Sequence, residues 1–448
     1  MTLHAPNRRP TGPTGLRGRG VADALAHALE PVVGGPLPVG LHAWDGSRAG
    51  PETGPAVLLR SPAALRRILW HPGELGAAQA YVTGELDVDG DLAEALDCVR
   101  RAGRERQLAG IRPTLGAAAA LARAALLLRR VGALGGPPPA PASQARLSGR
   151  LHSLGRDRQA ISHHYDVTSD FYALLLDPHL AYSCAYWTSD APGYTLEDAQ
   201  RDKLELVCQK VGLRPGSRLL DIGCGWGSLS LYAAEHHGVR VTGVTIASEQ
   251  KERVERLVAE RGLGDLVEVR LQDYREIADD GYDAVVSLEM GEHVGAANYP
   301  AFASVLASRV RPGGRVLVQQ MSRAGRHPGG GPFIESFIAP DMHMRPLGET
   351  VALLERSGLE VRDVEALREH YVRTVRAWLE TLEARWDEAV ALVGEESARV
   401  WRLYLVGGAM AFRDGRMGVD QVLMVRPSAD GSTWMPPVRG GHAEGARR

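Results

Sequence analysis

From Asp157 onward, apolar positions follow two alternating spacings. SRLLDI, VRVTGVTI, VEVRLQDY, YDAVVSLEM and GRVLVQQM are short apolar runs bounded by turn residues, and they predict strands. LEDAQRDKLELVCQKVG, SLSLYAAEHHG, ASEQKERVERLVAERG and YPAFASVLASRVRPGG repeat apolar residues at helical spacing and fall between those runs. Strands alternating with helices of this length predict an α/β fold with a parallel, doubly wound sheet. A last run, DQVLMVRP, predicts a strand closing one edge.

The earlier chain reads differently. Residues 1–20 are rich in Pro, Gly and Arg and carry no apolar core of signal-peptide length, which predicts a disordered tail. Residues 21–131 mix short apolar runs with turns and predict a small mixed domain for lipid, membrane or dimer contact. It ends in the Ala/Leu-rich stretch Leu115 to Val131. Arg123, Arg129 and Arg130 interrupt that stretch, and it is too short to span a bilayer, so a buried or surface-seated amphipathic helix is expected. Residues 132–150 contain GGPPPAPAS, which can hold neither helix nor strand and predicts a linker. Residues 151–435 then form the α/β domain, and 436–448 a flexible tail.

Composition narrows the function classes. Among 448 residues, 52 basic side chains stand against 54 acidic ones, so no strongly basic face for nucleic acid is signalled. Cys98, Cys184, Cys208 and Cys224 are far apart, with neither disulfide-framework nor metal-ligand spacing, and a reducing cytoplasm is the expected setting. The adjacent pair His163 and His164 projects differently on any regular element, and no metal site is evident.

Candidate chemistry begins at LLDIGCGWG. Asp221, Gly223, Gly225 and Gly227 fall at a strand-to-helix turn where glycines let the backbone approach a ligand. An acid two residues before the first glycine would repel a pyrophosphate. It can accept a hydrogen bond or attract a cation such as a methionyl ammonium, so S-adenosylmethionine suits the loop better than a dinucleotide. At the next strand ends, Thr245 and Gln250 are placed for the ribose and methionine portions, and Gln272 and Asp273 for an adenine amine. Taken singly, each is also a plausible cap or turn residue, and Ser248 resembles a helix N-cap.

Five segments together are more specific: HHYDVTSDFYALLLDPHLAYSCAYW, LLDIGCGWGSLSLYAA, GVTIASEQ, LQDYRE and SLEMGEHVGAANYPAF. The chain from about Ser162 onward resembles the cyclopropane-fatty-acyl-phospholipid synthase family, which includes mycolic-acid cyclopropane synthases and enzymes making mid-chain methyl-branched fatty acids. ELGAAQAYVTGELDVDGDL extends the resemblance more weakly to the first zone. The resemblance implies a seven-stranded, Rossmann-like class I methyltransferase sheet and S-adenosylmethionine as cofactor. It also implies Tyr165, Tyr182 and Ser183 in the cofactor pocket, and a bicarbonate proton acceptor whose ligands match Cys184, Glu292 and Tyr371. Ring-forming members of the family often carry histidine where this chain has Gln319. Glutamine can donate to an anion but cannot carry a proton at neutral pH, so bicarbonate binding and ring closure stay open.

The chemistry so implied is electrophilic. An alkene attacks the sulfonium methyl, water is kept out, the resulting cation is stabilised, and a base removes a proton. Glu292 leads as the base or its holder, and Tyr186, Trp187 and Tyr371 are expected to face the cation. Met342 and Met344, around His343, are expected near lipid. The implied partners are unsaturated phospholipid acyl chains at the inner membrane face, a second copy of the chain, and a separate reductase for a methylene product. A natural-product alkene as substrate, or a non-catalytic subunit, remain as alternatives.

Overall fold

The computed structural model describes residues 20–31, 33–106, 126, 128–145, 147–149, 151–152, 155–156, 169–325 and 329–436. The terminal tails at 1–19 and 437–448, most of the 115–131 stretch, and His163, His164 and Tyr165 lie outside the described residues. The chain divides into two units, residues 1–143 and 144–448.

The first unit runs α1 (Val21–Leu29), β1 (Gly40–Ala43), β2 (Arg48–Ala49), β3 (Ala56–Leu59), α2 (Pro62–Trp70), α3 (Glu74–Val82), β4 (Leu86–Asp89) and α4 (Leu92–Glu105). Its sheet has the order β2-β1-β3-β4, with β1 and β3 parallel and the other pairs antiparallel. Val21, Leu25, Leu41 and Leu59 form its core. Ser61 caps α2 by accepting from the Ala63 N–H, and Pro62 occupies the first turn, where its missing donor costs nothing.

The second unit is built on a seven-stranded sheet. Its helices include α5 (Ser169–Leu175), α6 (Leu196–Val211), α7 (Ser228–His237), α8 (Ser248–Glu260), α9 (Tyr299–Arg309), α10 (Pro332–Phe337), α11 (Leu347–Glu355), α12 (Arg368–Ala384) and α13 (Trp386–Arg413). The strands are β5 (Arg218–Ile222), β6 (Arg240–Thr245), β7 (Val267–Leu271), β8 (Tyr282–Leu288), β9 (Val310–Ser322), β10 (Glu360–Ala366) and β11 (Gly418–Val425), in the order β10-β11-β9-β8-β5-β6-β7. β5 to β9 are parallel, so the carboxyl ends of β5, β6, β7 and β8 share one edge, where open α/β sheets bind ligands.

The run DQVLMVRP is a strand, but not at an edge. β11 lies between β9 and β10, antiparallel to both. The edge is EVRDVEA, where Glu360, Arg362, Val364 and Ala366 are exposed, and its charged residues Glu360, Arg362, Asp363 and Glu365 discourage edge-to-edge association. Its charge concealed it among loop residues. Ser248 is the first residue of α8 rather than its cap; Ala247 holds that position without a side-chain bond.

Two apolar layers cover the sheet. Leu204, Val207 and Leu219 belong to one core, and Leu220, Val285, Phe302 and Leu306 to the opposite one. A third cluster is aromatic: Phe171, Tyr172, Trp226, Tyr371, Trp378 and Trp401 are all at most 4 % exposed. It closes the end of the sheet that bears the glycine loop. Among the described residues, no helix is long and apolar enough to cross a membrane.

Candidate active site

The glycine loop follows from the sequence of β5. Leu219, Leu220 and Ile222 bury the strand, and the chain must then reverse into α7 within a few residues. Gly223, Gly225 and Gly227 have φ of +79°, +54° and +86°, where a Cβ would be strained. A Cβ on Gly223 would also lie 2.9 Å from Met290. The N–H groups of Gly223 and Cys224 both donate to the Val244 carbonyl, which fixes the loop to β6.

A cavity opens at this edge. Its wall includes Tyr182, Ser183, Asp221, Gly223, Gly225, Thr245, Gln250, Gln272, Asp273, Glu292 and Tyr371, so these expected site residues meet in one place. Leu180, Glu289 and Asp341 are also on the wall, each with a positive φ (+55°, +53° and +65°). A non-glycine residue enters that region at a cost of about 1–2 kcal/mol, and such residues gather where a site needs a side chain aimed.

Several side chains have tasks that spacing could not reveal. Thr245 donates to Gln250 Oε1 (2.7 Å), which leaves the buried Gln250 Nε2 without a protein partner in the cavity wall. Asp221 accepts from Ser230 (2.7 Å), and burial pushes its carboxyl up to about 6. Gln272 turns its amide to the Glu276 carbonyl. Asp273 caps the following turn and pairs in bidentate fashion with Arg275 at 2.7 Å, so both residues serve that turn first. Lone pairs remain on the Asp273 oxygens for a further donor. Ser183 accepts from the fully buried Lys203 of α6 at 2.8 Å, which leaves its own hydroxyl proton free to donate.

The cavity wall also carries a hydrogen-bonded carboxylate, Glu289, which sequence reasoning passed over in favour of Glu292. Glu289 Oε1 accepts from the Cys184 backbone N–H (2.7 Å) and from Gln319 Nε2 (2.7 Å), and Oε2 accepts from the Tyr371 hydroxyl (2.6 Å). The niche that Cys184 and Tyr371 were expected to offer bicarbonate thus holds the protein's own carboxylate. Cys184 contributes its backbone, while its thiol donates to the Ala185 and Leu367 carbonyls and burial raises it far above its ordinary range. Gln319 stands one layer behind the cavity and meets it through Glu289. The available signal was an acid at the end of an apolar strand, on the ligand-binding edge.

Glu292 lies in a short 3-10 turn after β8 and is fully buried, with neither carboxyl oxygen bonded to a protein group. It does not cap a helix. Burial first, and then the nearby Glu289 charge, push it up to about 8, so it is protonated at neutral pH. Burial also raises Glu289, but Tyr371, Cys184, Gln319 and Lys203 oppose that rise. Of the two carboxyls, Glu289 is the one with hydrogen-bond donors set against its burial.

Tyr186 and Trp187 do not face the cavity. Tyr186 donates to Glu365 and stacks on His370, and Trp187 donates to Thr374 beneath Arg373. The aromatic wall instead includes Tyr182, Trp226, Tyr274, Tyr371 and Tyr404, with Tyr182 donating to Tyr404 at 3.3 Å. Met342 lines the cavity; Met344 is buried elsewhere, and the His343 N–H donates to the Glu292 carbonyl.

The pocket fits a sulfonium cofactor. Asp221, Glu289 and Glu292 surround it with carboxyls, Gln250 offers an unused buried donor, and the glycine loop admits a ligand close to backbone.

Comparison with known proteins agrees with this geometry. The profile of the family described as Mycolic acid cyclopropane synthetase matches residues 152–422. The chain is 36 % identical over 421 residues to the "Probable fatty acid methyltransferase Rv3720" of Mycobacterium tuberculosis, covering 90 % of this chain and 94 % of that protein. It is 32 % identical over 379 residues to the "Cyclopropane-fatty-acyl-phospholipid synthase" of Escherichia coli K12, covering 84 % and 89 %. Among solved structures, mycolic acid cyclopropane synthase CmaA1 complexed with SAH and CTAB superposes with a TM-score of 0.56 at 33 % identity, covering 60 % of this chain and 97 % of that one.

Proposed function

The chain belongs to the mycolic acid cyclopropane synthetase family of S-adenosylmethionine-dependent methyltransferases, and on that premise we propose that it methylates a double-bond carbon in the acyl chain of an unsaturated phospholipid, with Glu289 as the base. The observation that carries the reading is a hydrogen-bonded carboxylate facing an aromatic-walled cavity at the methyltransferase edge.

When bound, the cofactor supplies an electrophilic methyl group. Gln250, the glycine loop and Ser183 are the residues that would hold it. Leu180, Ile338, Ala339 and Met342 give the cavity apolar surface for a hydrocarbon chain and exclude water from it. The faces of Tyr182, Trp226, Tyr371 and Tyr404 stabilise positive charge on the chain after the alkene has attacked. Glu289 then removes a proton. Both lone pairs of Oε1 are engaged by Cys184 and Gln319, and one of Oε2 by Tyr371, so the proton goes to the second lone pair of Oε2. Loss of a proton from the new methyl group leaves a ring if the chain cation closes on that carbon. After a hydride shift it leaves an exocyclic methylene, which a separate reductase would convert to a methyl branch.

The first unit is assigned to membrane or dimer contact. Exposed Leu69 and Trp70 on α2, with Leu134 and the exposed Arg129 and Arg130, support an anionic lipid surface as its partner. The direct test is incubation of the protein and cofactor with vesicles of mono-unsaturated phospholipid, followed by mass analysis of the released fatty acids. A gain of one CH2 on unsaturated chains only is expected. Label confined to a soluble alkene, or to no acceptor, would overturn the reading.

A further inference from the structure

Behind Glu289, a chain of polar side chains leads out of the cavity. Gln319 on β9 and Gln421 on β11 are paired in register, and both are wholly buried. Gln421 Nε2 donates to Gln319 Oε1 at 2.9 Å, and Lys210 Nζ, from the last turn of α6, donates to Gln421 Oε1 at 2.8 Å. Two adjacent buried amides are costly in a sheet core unless each polar atom is used, and here each is.

Both ends of this chain favour one direction: at the near end Gln319 Nε2 donates to the Glu289 carboxylate and, at 3.4 Å, to the Cys184 carbonyl, and at the far end Lys210 fixes Gln421. An amide offers an oxygen at one side and an NH2 at the other, and either pattern suits a neighbouring amide; an ammonium only donates. Lys210 therefore forces the oxygen of Gln421 toward itself and the Gln421 NH2 toward Gln319. The Gln319 oxygen faces that NH2, and its own NH2 must face Glu289. Reversing the row would turn the Gln319 oxygen against the Glu289 carboxylate. Glu365 (2.5 Å) and Asp363 (3.5 Å), both on β10, hold Lys210 in place, and its side chain is only 7 % exposed.

We propose that Lys210 is a positioning residue that acts through Gln421 and Gln319 to present an N–H donor to the Glu289 carboxylate. The inference rests on the assignment of Glu289 as the base. It accounts for glutamine at position 319 and for its buried partner at 421, which no contact with cofactor or chain explains. The other titratable groups facing Glu289 are Lys203 from α6, Glu292, Cys184 and Tyr371; of these, Cys184 also meets Gln319, its backbone carbonyl accepting from Gln319 Nε2 at 3.4 Å.

The test is the pH profile of kcat/KM, measured with the full chain, the cofactor and oleoyl phospholipid vesicles for wild type, Lys210→Met, Lys210→Arg, Gln421→Glu and Glu289→Gln. Lys210→Met frees the amide row to reverse, and the acid limb is expected to move up by about one pH unit, with about a tenfold loss of rate below it. Lys210→Arg, also donor-only, is expected to restore the limb. Gln421→Glu accepts from Lys210 but cannot donate to Gln319, and is expected to shift the limb at least as far as Lys210→Met. If Glu289→Gln is inactive while the limb stays fixed in both Lys210→Met and Gln421→Glu, the relay is wrong. The same holds if Lys210→Arg behaves as Lys210→Met. If Glu289→Gln retains full turnover, it is the base assignment that fails.

Discussion

Tyr371 donates its hydroxyl proton to Oε2 of Glu289 across 2.6 Å, and the two residues reach each other from α12 and from the end of β8, 82 positions apart. With the Cys184 N–H and the Gln319 amide, that contact makes an anion niche whose occupant is covalently part of the chain. Burial raises the Glu289 carboxyl and these donors oppose that rise, and a base supplied by the chain itself needs no dissociable ion.

Removing that base while keeping its shape should be severe. Glu289→Gln is expected to lower turnover by about 10²–10⁴-fold with little change in cofactor affinity. Turnover assays and calorimetry with S-adenosylhomocysteine separate the two effects. Loss of cofactor binding equal to the loss of rate would contradict the assignment.

The filled niche also predicts how the protein responds to bicarbonate. Wild-type activity should be the same in bicarbonate-depleted and bicarbonate-supplemented buffer. Glycine takes the φ of +53° at position 289 without backbone strain, and Glu289→Gly empties the niche and leaves its donors unpaired, so added bicarbonate or formate should restore part of the lost rate. The same anion response in both proteins would rule out a niche occupied by Glu289.

Glu292 should make stability depend on pH. Its folded value is raised from 4.5 to about 8, so its contribution is fully present below pH 4.5 and is lost as pH rises through about 8. The slope cannot exceed about 1.4 kcal/mol per pH unit for one proton. Melting temperatures of the cofactor-free protein should therefore fall between pH 5 and pH 8, and Glu292→Gln should flatten that fall. Parallel curves for the two proteins would place the proton elsewhere.

Gln250 has an unused donor in the cavity wall. Gln250→Leu should weaken S-adenosylhomocysteine binding by about 1–3 kcal/mol, read by calorimetry. An unchanged Kd would remove Gln250 from the cofactor's contacts.

The sheet was legible because β5, β6, β7, β8 and β9 carry short apolar runs bounded by turn residues. β10 was not, because charged residues fall on both the exposed and the half-buried positions of EVRDVEA, and its strand character comes from pairing with β11. The cofactor edge was legible because glycines and strand ends are local features. Glu289 was not: its importance depends on donors from Cys184, Gln319 and Tyr371, which approach only when the sheet and α12 are assembled. Tyr186 and Trp187 misled for the same reason. They adjoin cavity residues in sequence, yet α12 draws them to His370 and Thr374. Gln319, an anomaly beside a bicarbonate ion, has a plain use beside a carboxylate.

The central claim, methyl transfer to a chain double bond followed by proton removal by Glu289, is tested most directly with S-adenosylmethionine bearing a trideuterated methyl group. After reaction with oleoyl phospholipid vesicles, the released fatty acid should carry the added carbon with two deuteriums, since both the ring and the methylene require one to leave as the proton that Glu289 takes. A product retaining all three deuteriums, or no deuterium in the acyl chain, would contradict the account.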